Sequence, residues 1–274
     1  MYQEFPMKSY TPQTPDEEKM PPPILDVKNL SVRFGGITAI QDLDFRISEP
    51  GIRGVIGPNG AGKTTFFNTI TGFVQPSEGE ILYRDQNIVG IAPNRIARKG
   101  VVRTFQSSAV FTEMSVLENV MTGYHRLSET TFLGIAFKLK KALKEENEIK
   151  SKAIESLKAV NLEHLIHHRA GDLSYGQQRL VEIARALMSS PSLLLLDEPG
   201  AGLSEAEREH LIDLLRSVSE DHQTCIILTD HAMDFIMEVC EYLTVLNFGN
   251  KIGEGTPVEI QQDSKVIEAY LGRD

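Results

Sequence analysis

Three features of the 274-residue sequence predict an α/β fold with a helical insertion. A glycine-rich stretch, Gly57-Pro58-Asn59-Gly60-Ala61-Gly62-Lys63-Thr64-Thr65, sits between an apolar strand pattern at residues 52–56 and helically spaced Phe66, Phe67 and Ile70. Continuous apolar runs at residues 193–196, 225–228 and 243–246 are separated by helical patterns, as in a parallel sheet covered on both faces. Between these regions, from Thr112 to Leu187, the apolar periodicity is helical.

In chain order, residues 1–23 come first, rich in proline and carrying Asp16-Glu17-Glu18. They offer little to bury and are expected to form a disordered leader. Leu30, Val32 and Phe34 then alternate with Ser31 and Arg33, and Leu43, Phe45 and Ile47 with Asp44 and Arg46. Two half-buried strands joined through Gly35-Gly36 follow, and a further strand at residues 80–83 makes a small antiparallel sheet beside the glycine-rich stretch. Val116, Leu117 and Val120 form an apolar helical stripe, and residues 133–158 a longer amphipathic helix. Its Lys138, Lys140, Lys141 and Lys144 read as a solvated face. Ser174 with Gln177 is a capping box, opening a helix that runs through Ile183, Ala184 and Leu187. Ser204 with Glu207 opens another, burying Leu211, Leu214, Leu215 and Val218. Thr256-Pro257-Val258-Glu259 is a third box, with Pro at the first helical position, before a short helix carrying Val266, Ile267, Tyr270 and Leu271.

Bulk properties exclude several function classes. Net charge is −10 and the pI about 5.3, which argues against nucleic acid as the main partner. Cys225 and Cys240 lie in or near apolar stretches and read as core thiols of a reducing compartment. No apolar run approaches the roughly 20 residues of a membrane span, and the first residues contain no apolar signal core. A cytosolic chain, or one on the cytosolic face of a membrane, is expected. His164, His167 and His168 lack cysteine or carboxylate companions at ligand spacing and are expected at an exposed helix end.

The chemistry lies in three motifs. The glycine-rich stretch fits the G-x-x-x-x-G-K-[ST] pattern, whose backbone N–H groups converge with a helix N-terminus on an anion. Lys63 is placed to reach the β- and γ-phosphates of a nucleoside triphosphate, and the Thr64 hydroxyl to join a Mg²⁺ shell of oxygens and water. In Leu193-Leu194-Leu195-Leu196-Asp197-Glu198-Pro199 a buried strand ends in two acids. Asp197 is expected to hold Mg²⁺ through water, and Glu198 to take a proton from the attacking water. Leu173-Ser174-Tyr175-Gly176-Gln177-Gln178-Arg179 opens a second helix N-terminus with a bare glycine and a hydroxyl, a second candidate anion site.

The order phosphate loop, Leu-Ser-x-Gly-Gln, four Leu and Asp-Glu-Pro resembles the ATP-binding cassette family over residues 24–274, although Tyr175 replaces one of the usual glycines. The resemblance implies a RecA-like phosphate-loop core (residues 24–106 and 188–274), an antiparallel β subdomain, and a helical subdomain (residues 107–187) bearing the second anion motif. It implies ATP hydrolysis with Mg²⁺. Phe34 matches the aromatic that stacks on adenine. Gln106 matches the loop glutamine that senses Mg²⁺ and the attacking water, and His231 the switch histidine at the γ-phosphate. Ser204 replaces the family's usual Asp, which puts a normal inter-subunit contact there in question. Residues 100–106, 199–203 and 266–272 are similar to ATPase subunits of branched-chain amino-acid importers. That similarity implies a second cassette subunit, identical or paralogous, whose Ser174, Gly176 and Gln177 face the first subunit's nucleotide. Membrane permease subunits and a periplasmic or extracellular binding protein are implied too, with the chain peripheral on the cytoplasmic face of the cell membrane. Urea-type and other amide importers, lipid exporters, and soluble cassettes of assembly systems such as iron–sulfur cluster loading share much of the pattern.

Overall fold

A computed structural model describes residues 23–104, 110–126, 140–221 and 223–271. The alternating N-terminal segments form β1 (Leu25–Phe34) and β2 (Ile37–Ile47), an antiparallel pair turning at Gly35-Gly36. The run before the glycine-rich loop is β3 (Gly51–Ile56), and the loop opens α1 (Lys63–Ile70). Next come β4 (Glu78–Tyr83), β5 (Gln86–Asn87), α2 (Pro93–Lys99) and β6 (Val101–Arg103). Strands β2-β1-β4-β5 make the expected antiparallel sheet. Alternation on β1 is imperfect. Register shifts around Leu30 and Val32 turn Ser31 inward, fully buried, where its hydroxyl donates to the Asp42 carboxylate at 3.1 Å and accepts from the Asp42 N–H at 3.0 Å. The same irregularity leaves Phe34 at 51% exposure.

Helices α3 (Val116–Met121), α4 (Lys140–Ala159) and α5 (Tyr175–Leu187) follow and pack on one another. Residues 133–139 of the expected long helix lie outside the described residues. His164, His167 and His168 are exposed beside a short 3₁₀ turn, Glu163–Leu165, and no metal-binding group of His, Cys, Asp and Glu occurs among the described residues.

The chain then returns as β7 (Leu193–Asp197), α6 (Glu205–Asp221), β8 (Cys225–Thr229), α7 (Met233–Val239), β9 (Tyr242–Asn247) and β10 (Asn250–Gly255). It continues as α8 (Pro257–Gln262) and α9 (Ser264–Leu271). The six-stranded sheet runs β10-β9-β3-β8-β7-β6, parallel from β9 to β6, with β10 antiparallel at its edge. The runs 193–196 of β7 and 225–228 of β8 are unbroken and fully buried because both faces of the sheet are covered there. Leu193 and Leu195 join the cluster under the antiparallel sheet with Phe66 and Phe67, whereas Leu194 and Leu196 join the cluster under the helices. On α6 the buried face is Leu211, Ile212, Leu215 and Val218, and Leu214 is only partly covered. The three capping boxes expected from the sequence are present at Ser174, Ser204 and Thr256. Cys225 and Cys240 are both buried and reduced, with burial pushing the Cys225 thiol up to about 12. No helix among the described residues is long and apolar enough to cross a membrane.

Candidate active site

The glycine-rich loop occupies the C-terminal end of β3 and bends tightly into α1. Gly57 has φ +150°, and a Cβ there would lie 2.0 Å from the Leu246 carbonyl oxygen of β9, so glycine is required. The turn is closed by the Ala61 N–H donating to the Pro58 carbonyl at 3.1 Å, and the Gly249 N–H donates to the Ala61 carbonyl at 3.0 Å. Lys63 donates from Nζ to the Gly57 and Pro58 carbonyls and so lies along the inside of its own loop. Its burial lowers the ammonium pKa, opposed by the nearby Glu198 and Asp197 carboxylates.

A cleft of about 320 Å³ gathers Asn59, Gly60, Ala61, Gly62, Lys63, Thr64 and Thr65 with Ala39, Asp197, Glu198, Thr229 and His231. Residues distant in sequence meet here because β3, β7 and β8 are neighbours whose C-terminal ends share one edge. Asp197 ends β7, buried at 4% exposure, and its Oδ2 accepts from the Arg103 guanidinium at 2.9 Å. Glu198 follows at φ +53°, a left-handed conformation uncommon outside glycine. Two bonds hold that backbone. The Glu198 N–H donates to the Thr229 carbonyl at 2.7 Å, and the Glu198 carbonyl accepts from Arg179 Nε and Nη2, each at 3.3 Å. The Glu198 carboxylate Oε1 lies 3.3 Å from His231 Nε2. Asp230 sets the histidine loop against the loop after Glu198: its carboxylate accepts from the Gly200 N–H and the Ala232 N–H, each at 2.9 Å.

Other expected residues lie away from the cleft. Phe34 is on the β1–β2 hairpin and does not line it. Ser174, Gly176 and Gln177 are at the N-terminus of α5, also outside it. The Ser174 hydroxyl accepts from the Gln177 N–H at 3.2 Å, and the Gln177 side chain accepts from the Ser174 N–H at 3.0 Å. Both cap their own helix, as the capping box predicts. Gly176 has a local reason to be glycine: a Cβ there would stand 2.7 Å from the Gly202 carbonyl of the same chain. Tyr175 lies against Gly202. Ser204 caps α6, its hydroxyl accepting from the Glu207 N–H at 3.4 Å. Gln106 lies outside the described residues.

Arg103, Asn68, Arg179 and Asp230 are the site-supporting residues that sequence patterns did not single out. Arg179 is 1% exposed and paired with Glu182 at 2.6 Å. The available signal was a cation and an acid at helical spacing among apolar neighbours, which a solvated face also displays.

Phosphate loop, paired acids at a strand end and a histidine in one cleft, on a parallel sheet with a helical insertion, define a nucleotide-hydrolysing cassette. The ABC transporter family model matches residues 40–201, and the chain belongs to that family. It is a nucleotide-binding ATPase. A second model, for branched-chain amino acid ATP-binding cassette transporters, matches residues 250–274. Among its relatives is the high-affinity branched-chain amino acid transport ATP-binding protein BraF of Pseudomonas aeruginosa, 42% identical over 91% of this chain and 98% of BraF. LivG of Escherichia coli, of the same description, is 39% identical over 92% of this chain and 99% of LivG. The ADP conformation of MJ1267, an ATP-binding cassette of an ABC transporter, superposes with a TM-score of 0.78 at 32% identity, covering 92% of this chain and 99% of that one.

Proposed function

We propose that the chain is the ATP-hydrolysing subunit of a membrane importer for branched-chain or closely similar hydrophobic amino acids. Support for the cargo class comes from the names of its relatives and from the match over residues 250–274. Support for the chemistry comes from one observation: the phosphate loop, Asp197, Glu198 and His231 share a single cleft. Residues 24–106 and 188–274 act as the nucleotide-binding core, and residues 107–187 as the helical unit. The subunit works as a peripheral protein on the cytoplasmic face of the cell membrane, with permease subunits and a periplasmic or extracellular binding protein.

Thr64 and Asp197 are hard oxygen donors in that cleft, and no cage of three or more His, Cys, Asp and Glu surrounds them among the described residues. That donor set fits Mg²⁺, which keeps several waters and shares phosphate oxygens. When bound, the ion neutralises charge on the phosphates. Backbone N–H groups of residues 59–65 cradle the triphosphate, and Lys63 turns from its loop carbonyls to the β- and γ-phosphates. Glu198 accepts the proton of the attacking water as that oxygen bonds to the γ-phosphorus and the bond to the ADP oxygen breaks. His231 orients the Glu198 carboxylate and contacts the γ-phosphate, Phe34 stacks on adenine, and Gln106 senses the water and the ion. Ser174, Gly176 and Gln177, outside the cleft of their own chain, complete the cage of a second subunit's nucleotide, so ATP draws two subunits together and hydrolysis releases them. Opening and closing move the permeases.

Glu198→Gln keeps the shape and removes the base. ATP affinity should stay within about twofold, turnover should fall by about 10²–10⁴, and ATP should hold the variant as a dimer in sedimentation. Turnover at the wild-type rate would remove Glu198 from the role of base.

A further inference from the structure

Arg103 has no part in the chemistry above, yet it is the cation in contact with Asp197. It ends the edge strand β6, level with Leu195 of β7, and the neighbouring Thr104 N–H donates to the Leu195 carbonyl at 3.0 Å. From there the guanidinium lies between two elements. Nη2 donates to Asp197 Oδ2 at 2.9 Å, and Nη1 donates to Asn68 Oδ1 at 2.6 Å. Its Cζ lies 5.4 Å from the centroid of the Phe67 ring. The Arg103 and Asp197 side chains are 4% and 5% exposed, so neither partner can swing into water.

The position of Asn68 gives this arrangement its meaning. Asn68 lies one turn beyond Thr64 on α1, so both occupy one helix face. Arg103 therefore ties the helix carrying the Thr64 hydroxyl to the strand carrying the Asp197 carboxylate. A guanidinium fork suits that task, because its donors are rigid and point in fixed directions. With Oδ2 held by Arg103, Oδ1 would be the carboxylate oxygen available toward a bound metal.

We propose that Arg103 is the positioning residue of the Mg²⁺ site, fixing the carboxylate of Asp197 and its distance from Thr64 through Asn68. This rests on the assignment of Asp197 and Thr64 to Mg²⁺ given above. A cation so near a divalent ion also repels it, and the two effects oppose each other in sign. Positioning dominates: without Arg103 the buried carboxylate loses its partner and its orientation together. Groups that orient metal ligands typically contribute about ten- to hundredfold in metal affinity.

The test is binding of a fluorescent non-hydrolysable ATP analogue to the full chain, titrated with Mg²⁺ from a chelated start. For Arg103→Met, affinity without Mg²⁺ should stay within about twofold, while the half-saturating Mg²⁺ concentration rises about tenfold or more. Arg103→Lys should recover part of the shift, and Asn68→Leu, which leaves the ion pair in place, should move the midpoint the same way by less. A midpoint unchanged in Arg103→Met and Asn68→Leu overturns the proposal, and a lower one shows Arg103 to be a competitor instead. If Arg103→Met does not fold in a thermal melt, Arg103→Lys and Asn68→Leu decide by the same criterion. Asp197→Asn separates the two levels. A shift there with none in the Arg103 and Asn68 variants removes the positioning role alone, and no shift in Asp197→Asn removes the metal assignment and the proposal with it.

Discussion

Glu198 shows how single residues in this site are held against their own preferences. Its φ of +53° costs of order 1–3 kcal/mol for a non-glycine residue. The bonds to Thr229 and Arg179 keep it there and bring its carboxylate to His231. Gly57 carries the stricter constraint, since a methyl group would meet a backbone carbonyl that cannot turn aside. Gly57→Ala should therefore destabilise the fold by about 1–3 kcal/mol or more and abolish ATP binding. Thermal unfolding and nucleotide titration check the two parts, and a variant that binds ATP normally would show the loop to be more adaptable than its contacts imply. At this scale the sequence was legible where chemistry demands a spacing, as in Gly57 to Thr65. It was silent on Arg103 and Arg179, because nothing in the spelling of a buried arginine names the acid or carbonyl it will meet.

Elements were read well where local forces dominate. A capping box needs only residues three apart in sequence, and those at Ser174, Ser204 and Thr256 formed as expected. Ser204, where the family resemblance implies an acid, caps α6. Ser204→Ala should cost about 0.5–2 kcal/mol, and Ser204→Asn should be near neutral, because Asn keeps a cap acceptor without setting a second carboxylate against Glu207 Oε2, 2.7 Å from the hydroxyl. Chemical denaturation of both variants checks this; equal loss in both would mean that the hydroxyl does something other than cap. Errors arose where the neighbouring element sets the outcome. Period-two alternation placed Ser31 outward and Phe34 inward, but bulges against β2 reversed both. On α6, Ile212 joins the fully buried face, and Leu214 packs against the same core only partly buried.

At the scale of the whole molecule, the Ser174 helix end lies outside the cleft of its own chain. If a second copy supplies it, separate defects should complement. Ser174→Asp keeps the cap but sets a carboxylate against the partner's triphosphate, so its melting temperature should hold while ATP-driven dimerisation fails. Lys63→Ala disables the phosphate loop instead. A mixture of the two inactive variants forms one intact composite site per mixed dimer and should regain roughly a quarter of wild-type turnover, given random pairing and independent sites. No recovery on mixing would sink the shared-cage arrangement. Gly176 is a poor choice for that experiment, since any side chain there strikes Gly202 of the same chain.

By itself the sequence determined the α/β class, the phosphate loop, the acidic strand end and the helix caps. Each depends on residues close together in the chain, where periodicity and backbone chemistry leave few alternatives. Only the tertiary structure decided which distant groups touch: Arg103 with Asp197, Arg179 with the Glu198 carbonyl, His231 with the Glu198 carboxylate, and Gly176 with Gly202. Those contacts follow from strand order and the packing of helices on the sheet, and a one-dimensional pattern does not encode the direction in which a long side chain reaches across it.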